Sequence, residues 1–163
     1  MPKQAAGILL YRRGARGLEV LLAHPGGPLW ARKDLGAWTV PKGQFTDNES
    51  PIAAAQREFE EEMGSPAAGA AVEFVALGSI KQPSGKVVYV FAAEADFDVT
   101  TVKSNLFSLE WPPRSGQQAE FPEVDRAGWF SIDEARKKIL KGQEPFLGRL
   151  LTVLNAATAG ESS

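Results

Sequence analysis

Two short apolar runs, Ala6 to Tyr11 and Leu18 to Ala23, flank the glycine-containing segment Arg13-Gly14-Ala15-Arg16-Gly17 and predict an antiparallel hairpin. A loop rich in Gly and Pro follows from His24 to Gly36, then a short strand around Ala37 to Val40 that stops at Pro41-Lys42-Gly43. From Ser50 the period changes: Ile52, Ala55, Phe59 and Met63 recur at three- and four-residue spacing, which marks one buried face of a helix. Ser50 is its expected N-cap, Pro51 its first helical residue, and Gly64 with Pro66 its stop.

Val72 to Lys81 and Lys86 to Ala95 predict a second hairpin about Gln82-Pro83-Ser84-Gly85. A strand near Leu106 to Trp111 precedes a loop signal at Pro112-Pro113-Arg114-Ser115-Gly116, and Ala127 to Phe130 reads as a last strand. Ser131-Ile132-Asp133-Glu134 is a capping box that opens a helix to about Lys141. A final amphipathic helix is expected from about Pro145 to Asn155, with 156–163 a disordered tail. Hairpins mixed with helices imply a mixed sheet covered on both faces, an α/β/α sandwich forming one domain over 1–155.

The 163 residues suffice for one core without staples, and 44% hydrophobic with 23% charged residues is ordinary for a globular chain. A net charge of −2 gives no basic footprint for duplex nucleic acid. No apolar run reaches the roughly 18 residues of a membrane span, no secretory leader is evident, and cysteine is absent, so a cytoplasmic protein with no membrane partner is expected. Cysteine's absence also excludes zinc-thiolate sites and thiol nucleophiles.

The chemistry concentrates on the first helix. Glu58, Glu61 and Glu62 stand at i, i+3 and i+4, so their carboxylates share one face, opposite Phe59 and Met63. An exposed acidic face is the ordinary explanation of such a run. Two points argue against it. Four glutamates (58, 60, 61 and 62) precede Gly64, where the helix dipole disfavours each negative charge by about 0.3–1 kcal/mol, and no Lys or Arg lies four residues C-terminal to offset them. Grouped hard oxygens of this kind suit Mg²⁺ or Mn²⁺, which bridge carboxylates to phosphates.

The segment Gly43 to Ser65 resembles the box of the Nudix hydrolase family: Gly43, Glu49, Arg57, Glu58, Phe59, Glu61, Glu62 and Gly64 match in order and spacing. A chance match is on the order of one in a million or less given average residue usage. Ser65 departs from the usual aliphatic end, a packing position outside the chemistry. The resemblance implies metal-dependent hydrolysis of a phosphoanhydride, with Glu58, Glu61, Glu62 and the Gly43 carbonyl as ligands. It also implies a Glu49–Arg57 ion pair that pins the loop to the helix. The general base is a glutamate of the box, Glu58 or Glu61, or one from a later loop, where Glu120 and Glu123 are candidates. Glu123, six residues before Trp129, is preferred.

Outside the box, Trp38 to Gly43, Lys86 to Tyr89 with Asp96 to Val99, and Glu123 to Trp129 are similar to asymmetrically cleaving diadenosine tetraphosphate hydrolases. That likeness implies Lys42, Lys81 and Lys86 as phosphate contacts and Tyr89 as a base contact. The alternatives are solvated hairpin lysines and a packed sheet tyrosine. His24 is read as a turn or packing residue, and Trp30 and Trp111 as loop anchors or base-stacking rings. A dinucleoside polyphosphate is thus the expected substrate, with a nucleoside triphosphate pyrophosphohydrolase or a non-catalytic nucleotide-binding module as alternatives. The protein is expected as monomer or homodimer.

Overall fold

The computed structural model describes residues 3–67 and 72–161. The elements run β1 (Gln4–Gly14), β2 (Gly17–Pro25), β3 (Lys42–Phe45), α1 (Pro51–Met63), β4 (Val75–Lys81), β5 (Val87–Glu94), β6 (Leu106–Glu110), β7 (Gln118–Pro122), β8 (Val124–Ser131), α2 (Ile132–Lys138) and α3 (Pro145–Glu161), with 3-10 turns at Val99–Thr101 and Lys141–Gln143. The main sheet has the order β4-β5-β1-β2-β8, with β3 also paired to β1. Only the β1–β5 ladder in it is parallel.

Strand alternation divides the core between the two faces of this sheet. Leu9, Val20, Leu22, Val88 and Val90 pack toward Phe146, Leu147 and Leu150 of α3 and Ala135 of α2. Their neighbours Ile8, Leu10 and Leu21 point the other way, onto Ala54, Ala55, Phe59 and Met63 of α1. Successive residues of one strand therefore serve opposite layers, which makes the expected α/β/α sandwich.

Beside β1 the sheet splits. β3 pairs with its first residues, Gln4 to Gly7, and β2 with its last, Tyr11 to Gly14, on the edge not taken by β5. The expected strand at Ala37 to Val40 is only two isolated bridges, Ala23 with Thr39 and Trp38 with Ile139. Pro41 has no N–H to give, so the ladder forms after it and Lys42 and Gly43 become strand residues beside α1.

Other boundaries also move. The stretch around Gln118 pairs with β6 as a separate two-stranded sheet, burying Phe121 against Phe107 at 6.1 Å between ring centroids. α2 ends at Lys138 rather than near Lys141, because Leu140 N–H donates to Trp38 O at 2.7 Å and draws the chain into the Trp38 bridge. α3 continues past the expected end at Asn155 to Glu161, through a segment rich in the strong helix former alanine; positions 162 and 163 lie outside the described residues. On the outer strand β4, register shifts between Ala76 and Ser79, and Arg149 of α3 donates Nη1 to Leu77 O at 2.9 Å and Ser79 O at 3.0 Å.

Gln143, buried with 1% exposure, ties the segment before β3 to the start of α3: its Oε1 accepts from Val40 N–H at 2.9 Å and its Nε2 donates to Thr39 Oγ1 at 2.9 Å. Gln143→Met would strand the Val40 amide away from water. Urea unfolding of that variant is expected to show a loss of about 1–3 kcal/mol, whereas an unchanged midpoint would mean that water replaces the amide.

Candidate active site

α1 begins and ends as its sequence dictates. Ser50 accepts from Ala53 N–H, Pro51 sits in the first turn, and Gly64 adopts φ 88° while its N–H donates to Glu60 O at 2.8 Å. Arg57 divides its donors. Nε and Nη2 meet Glu49 at 2.9 and 2.7 Å, while Nη1 meets Glu58 at 2.8 Å and Glu61 at 3.2 Å. The Glu49–Arg57 pair inferred from the sequence is therefore bidentate, and the same guanidinium also offsets two of the crowded acids. Sequence spacing pointed away from this, since the cation lies N-terminal to the glutamates it serves.

The C-terminal carbonyls of α1 organise the far side of the site. Lys103 N–H donates to Met63 O at 3.2 Å and Asn105 N–H to Glu61 O at 3.0 Å. A Cβ on Gly64 would stand 2.7 Å from Lys103 O, so only glycine lets that segment approach. Asn105 O then accepts from Glu123 N–H at 2.9 Å, and Glu123 O accepts from Gly26 N–H at 3.0 Å. Val124 N–H donates to Ser104 Oγ at 3.0 Å. Glu123, distant in sequence, is thereby carried to the end of α1, where it lines the same cleft as Glu62.

Among these acids Glu62 has surroundings that favour its protonated form. Burial, then Glu123 and Glu58, push its acid up to about 8. Glu58, 9% exposed, is also raised, chiefly by burial and against the pull of Arg57. Lys42 completes the charge pattern. Burial, with Lys86 alongside, brings it down to about 8, while Glu62 and Glu58 pull it back up.

A divalent cation fits this donor set. The available groups are hard oxygens, and burial, with neighbouring acids adding to it, raises two of them. A methyl group on Gly43 would land on the Glu58 carboxylate, so glycine is what lets that carboxylate lie against the backbone of β3. As the side chains stand, no three acidic or histidine groups among the described residues close on a single point. Arg57 holds Glu58 and Glu61, and Glu62 turns to Glu123. The Nη1 contacts of Arg57 are separate from its bond to Glu49, so releasing the first leaves the second in place.

The remaining sequence candidates are dispersed. Lys42 and Lys86 stand side by side, whereas Lys81 is exposed at the end of β4. Tyr89 is half-buried on the α1 face, its ring 6.0 Å from Phe45. Glu120 is exposed on β7 opposite Ser108. His24 is fully buried, with Nδ1 at 2.9 Å from Asp125 Oδ1 and Nε2 at 2.6 Å from Lys33 O, so it fastens β2 to β8 and the following loop.

A cleft of about 310 Å³ opens between the Pro25 to Trp30 loop and β6, with Glu62, Glu123, Lys42 and Thr39 in its wall. Sequence reasoning missed Phe107 and Leu109 in this wall and Gly26 and Gly27 in its loop. The alternation of Phe107 and Leu109 and the Pro-Gly-Gly-Pro run were the available signals.

The NUDIX domain family matches residues 1–150. Among curated proteins nothing matches. Solved structures similar to this chain include an Ap4A hydrolase binary complex from C. elegans, with TM-score 0.65 and 21% identity over 93% of this chain and 98% of that one. The Nudix hydrolase RenU from M. smegmatis gives TM-score 0.63 and 25% identity over 94% and 86%. The NUDIX domain of NrtR from Shewanella oneidensis, complexed with ADP ribose, gives TM-score 0.62 and 15% identity over 94% and 89%.

Because the Glu62 acid lies higher in the folded chain than in the unfolded one, the folded state binds more protons between the two values. Stability from this group is complete at low pH and is lost as pH rises toward about 8. In metal-free buffer the thermal midpoint is expected to fall between pH 5 and pH 8, and Glu62→Gln to flatten that fall; an equal slope in the variant would remove Glu62 as its source. Gly43→Ala is expected to displace the Glu58 carboxylate and weaken Mn²⁺ binding at least tenfold in a calorimetric titration while the fold survives. Unchanged affinity would contradict the close packing of Glu58 on β3.

Proposed function

The chain belongs to the NUDIX family, and on that premise we propose that it is a divalent-metal-dependent pyrophosphohydrolase that cuts a phosphoanhydride bond in a dinucleoside polyphosphate such as diadenosine tetraphosphate. The observation that carries this reading is the acidic side of α1, with the Glu58 carboxylate lying against Gly43 of β3 and Glu62, a box acid, lining one cleft with Glu123, a loop acid, and Lys42. A module that only binds nucleotide has no use for a proton acceptor at that point. The likeness to the C. elegans Ap4A hydrolase supports the choice of substrate through its fold.

Glu58, Glu61, Glu62 and the Gly43 carbonyl would hold Mg²⁺ or Mn²⁺. When bound, such an ion neutralises the diphosphate and lowers the pKa of a coordinated water. Glu123 accepts the proton of the water that attacks phosphorus, with Glu58 or Glu61 as the alternative base; the bond from that phosphorus to the leaving phosphate oxygen breaks. Lys42 and Lys86 face the outer phosphate oxygens, with Lys81 further out. Tyr89 borders the substrate from the sheet, and Glu49 with Arg57 keeps α1 and the preceding loop in register. The protein works in the cytoplasm as monomer or homodimer; no helix among the described residues is long and apolar enough to cross a membrane.

A nucleoside triphosphate pyrophosphohydrolase is the second reading, favoured by a cleft at the small end of the usual 300–1,000 Å³ range for ligand sites. Chromatography of products separates the two. Diadenosine tetraphosphate with Mg²⁺ is expected to give AMP and ATP, and release of pyrophosphate from nucleoside triphosphates at higher kcat/KM would favour the second reading. Glu61→Gln and Glu62→Gln are expected to lower turnover by several orders of magnitude, and Glu123→Gln by about 10²–10⁴. Wild-type rates in these variants would remove the carboxylates from the chemistry, and nucleotide binding without any product would mark a sensor module.

A further inference from the structure

Gly43 and Gly64 have internal reasons to be glycine, and Gly148 has none. It is exposed within α3, and a Cβ there would meet nothing within 4 Å among the described residues. Glycine weakens a helix relative to alanine, so its presence calls for a reason outside the chain. It leaves a notch in the wall of a trough of about 580 Å³, formed by Ala76 and Leu77 of β4 with Pro145, Gly148, Arg149 and Thr152 of α3. No residue lines both this trough and the cleft beside the acidic helix. We propose that the trough is an interface between two copies of this chain, in which α3 of one lies antiparallel on α3 of the other about a two-fold axis. The pairing is independent of which phosphoanhydride the chain cleaves.

The residues that such a match needs share one side of α3. Pro145, Gly148, Arg149 and Thr152 follow the spacing i, i+3, i+4 and i+7. Glu144, with helical φ −53° and ψ −38°, extends that side to the position four before Gly148. In a two-fold pair, residue i meets residue j and j meets i. Seating Pro145 of one copy in the Gly148 notch of the other places the axis between residues 146 and 147. Glu144 and Arg149 have the same midpoint. The arrangement that fills the notch therefore also sets each arginine beside a glutamate of the other copy, twice over. Phe146 and Leu147, at the midpoint, are buried in their own core and stay out of the contact.

Both charges are available to a partner. Arg149 donates Nη1 to Leu77 O and Ser79 O, neutral oxygens that fix the side chain against β4 without matching its charge. Glu144 is half-exposed and meets Arg136 only at 3.9 Å. Thr152 spends its hydroxyl on Gly148 O at 3.1 Å, so it asks for no polar group from outside. An added strand is a poorer occupant, because the register shift in β4 and the arginine laid across it interrupt the ladder. A net charge of −2 sets up little repulsion between copies. Cation, acid, ring and notch each find their counterpart on the same face, which is what a self-complementary patch requires.

Sedimentation velocity on the full chain, from about 5 to about 200 µM, tests this. Wild type is expected to pass from monomer to dimer across that range. Gly148→Leu projects into the notch from open space and is expected to stay monomeric, with an unchanged or higher thermal midpoint because leucine is the better helix former. Glu144→Lys sets like charges together and is expected to raise the dimer dissociation constant about tenfold or more. Glu110→Lys, the same charge change on β6, is expected to leave it as in wild type. A wild-type chain that remains monomeric at the highest concentration would overturn the proposal and leave the trough to a partner of another kind. A dimer that survives either Gly148→Leu or Glu144→Lys undiminished would overturn it as well, by placing the contact elsewhere. Hydrolysis enters neither measurement, so the interface and the proposed chemistry stand or fall separately.

Discussion

Four carboxylates gathered where a helix ends form an arrangement that Coulomb repulsion and the helix dipole both oppose, and much of the fold serves to hold it. Arg57 contributes from within the helix, with one edge of its guanidinium fixed on Glu49 and the remaining nitrogen shared by Glu58 and Glu61. Burial and the neighbouring carboxylates push the Glu62 acid up to about 8, so that protonation there relieves part of the repulsion. The apolar side of the same helix, Phe59 and Met63, is buried completely against the sheet and prevents the acidic side from turning out into water.

Backbone hydrogen bonds do what side-chain attraction cannot at this place. The run from the α1 carbonyls through Asn105 to Glu123 and on to Gly26 joins four stretches separated along the chain. Each link satisfies a polar group that a helix end or a loop would otherwise leave to solvent. Capping the helix and positioning Glu123 are accordingly one structural act. The side chain of Ser104 and the buried His24 brace the same region from either side.

The layers of the fold and the acidic helix were legible because they rest on local rules: period-2 alternation in β1, β2 and β5, helical spacing from Ile52 to Met63, and caps at Ser50 and Gly64. What escaped depends on distant partners. β7 carries Gln, Glu and Pro and becomes a strand only because β6 lies beside it. The segment Ala37 to Val40 looks like a strand, yet Pro41 interrupts its donors and its amides are served instead by Ala23, Lys138 and Gln143. The neighbourhood of Glu62 and Glu123 follows from a relay of amides that no spacing in the sequence encodes. The double service of Arg57 was hidden for a simpler reason, that Glu58 and Glu61 follow it along the chain.

The outer strand β4 has a bearing on how copies of this protein meet one another. A free sheet edge is a template on which another chain can add a strand. Here the ladder is broken at Gly78, and Arg149 reaches from α3 to occupy two main-chain oxygens at the break. The edge therefore offers an incoming strand an irregular row of acceptors with a fixed positive charge across it. Loss of that arginine would expose the chain to fibrous self-association without touching a single group of the acidic centre.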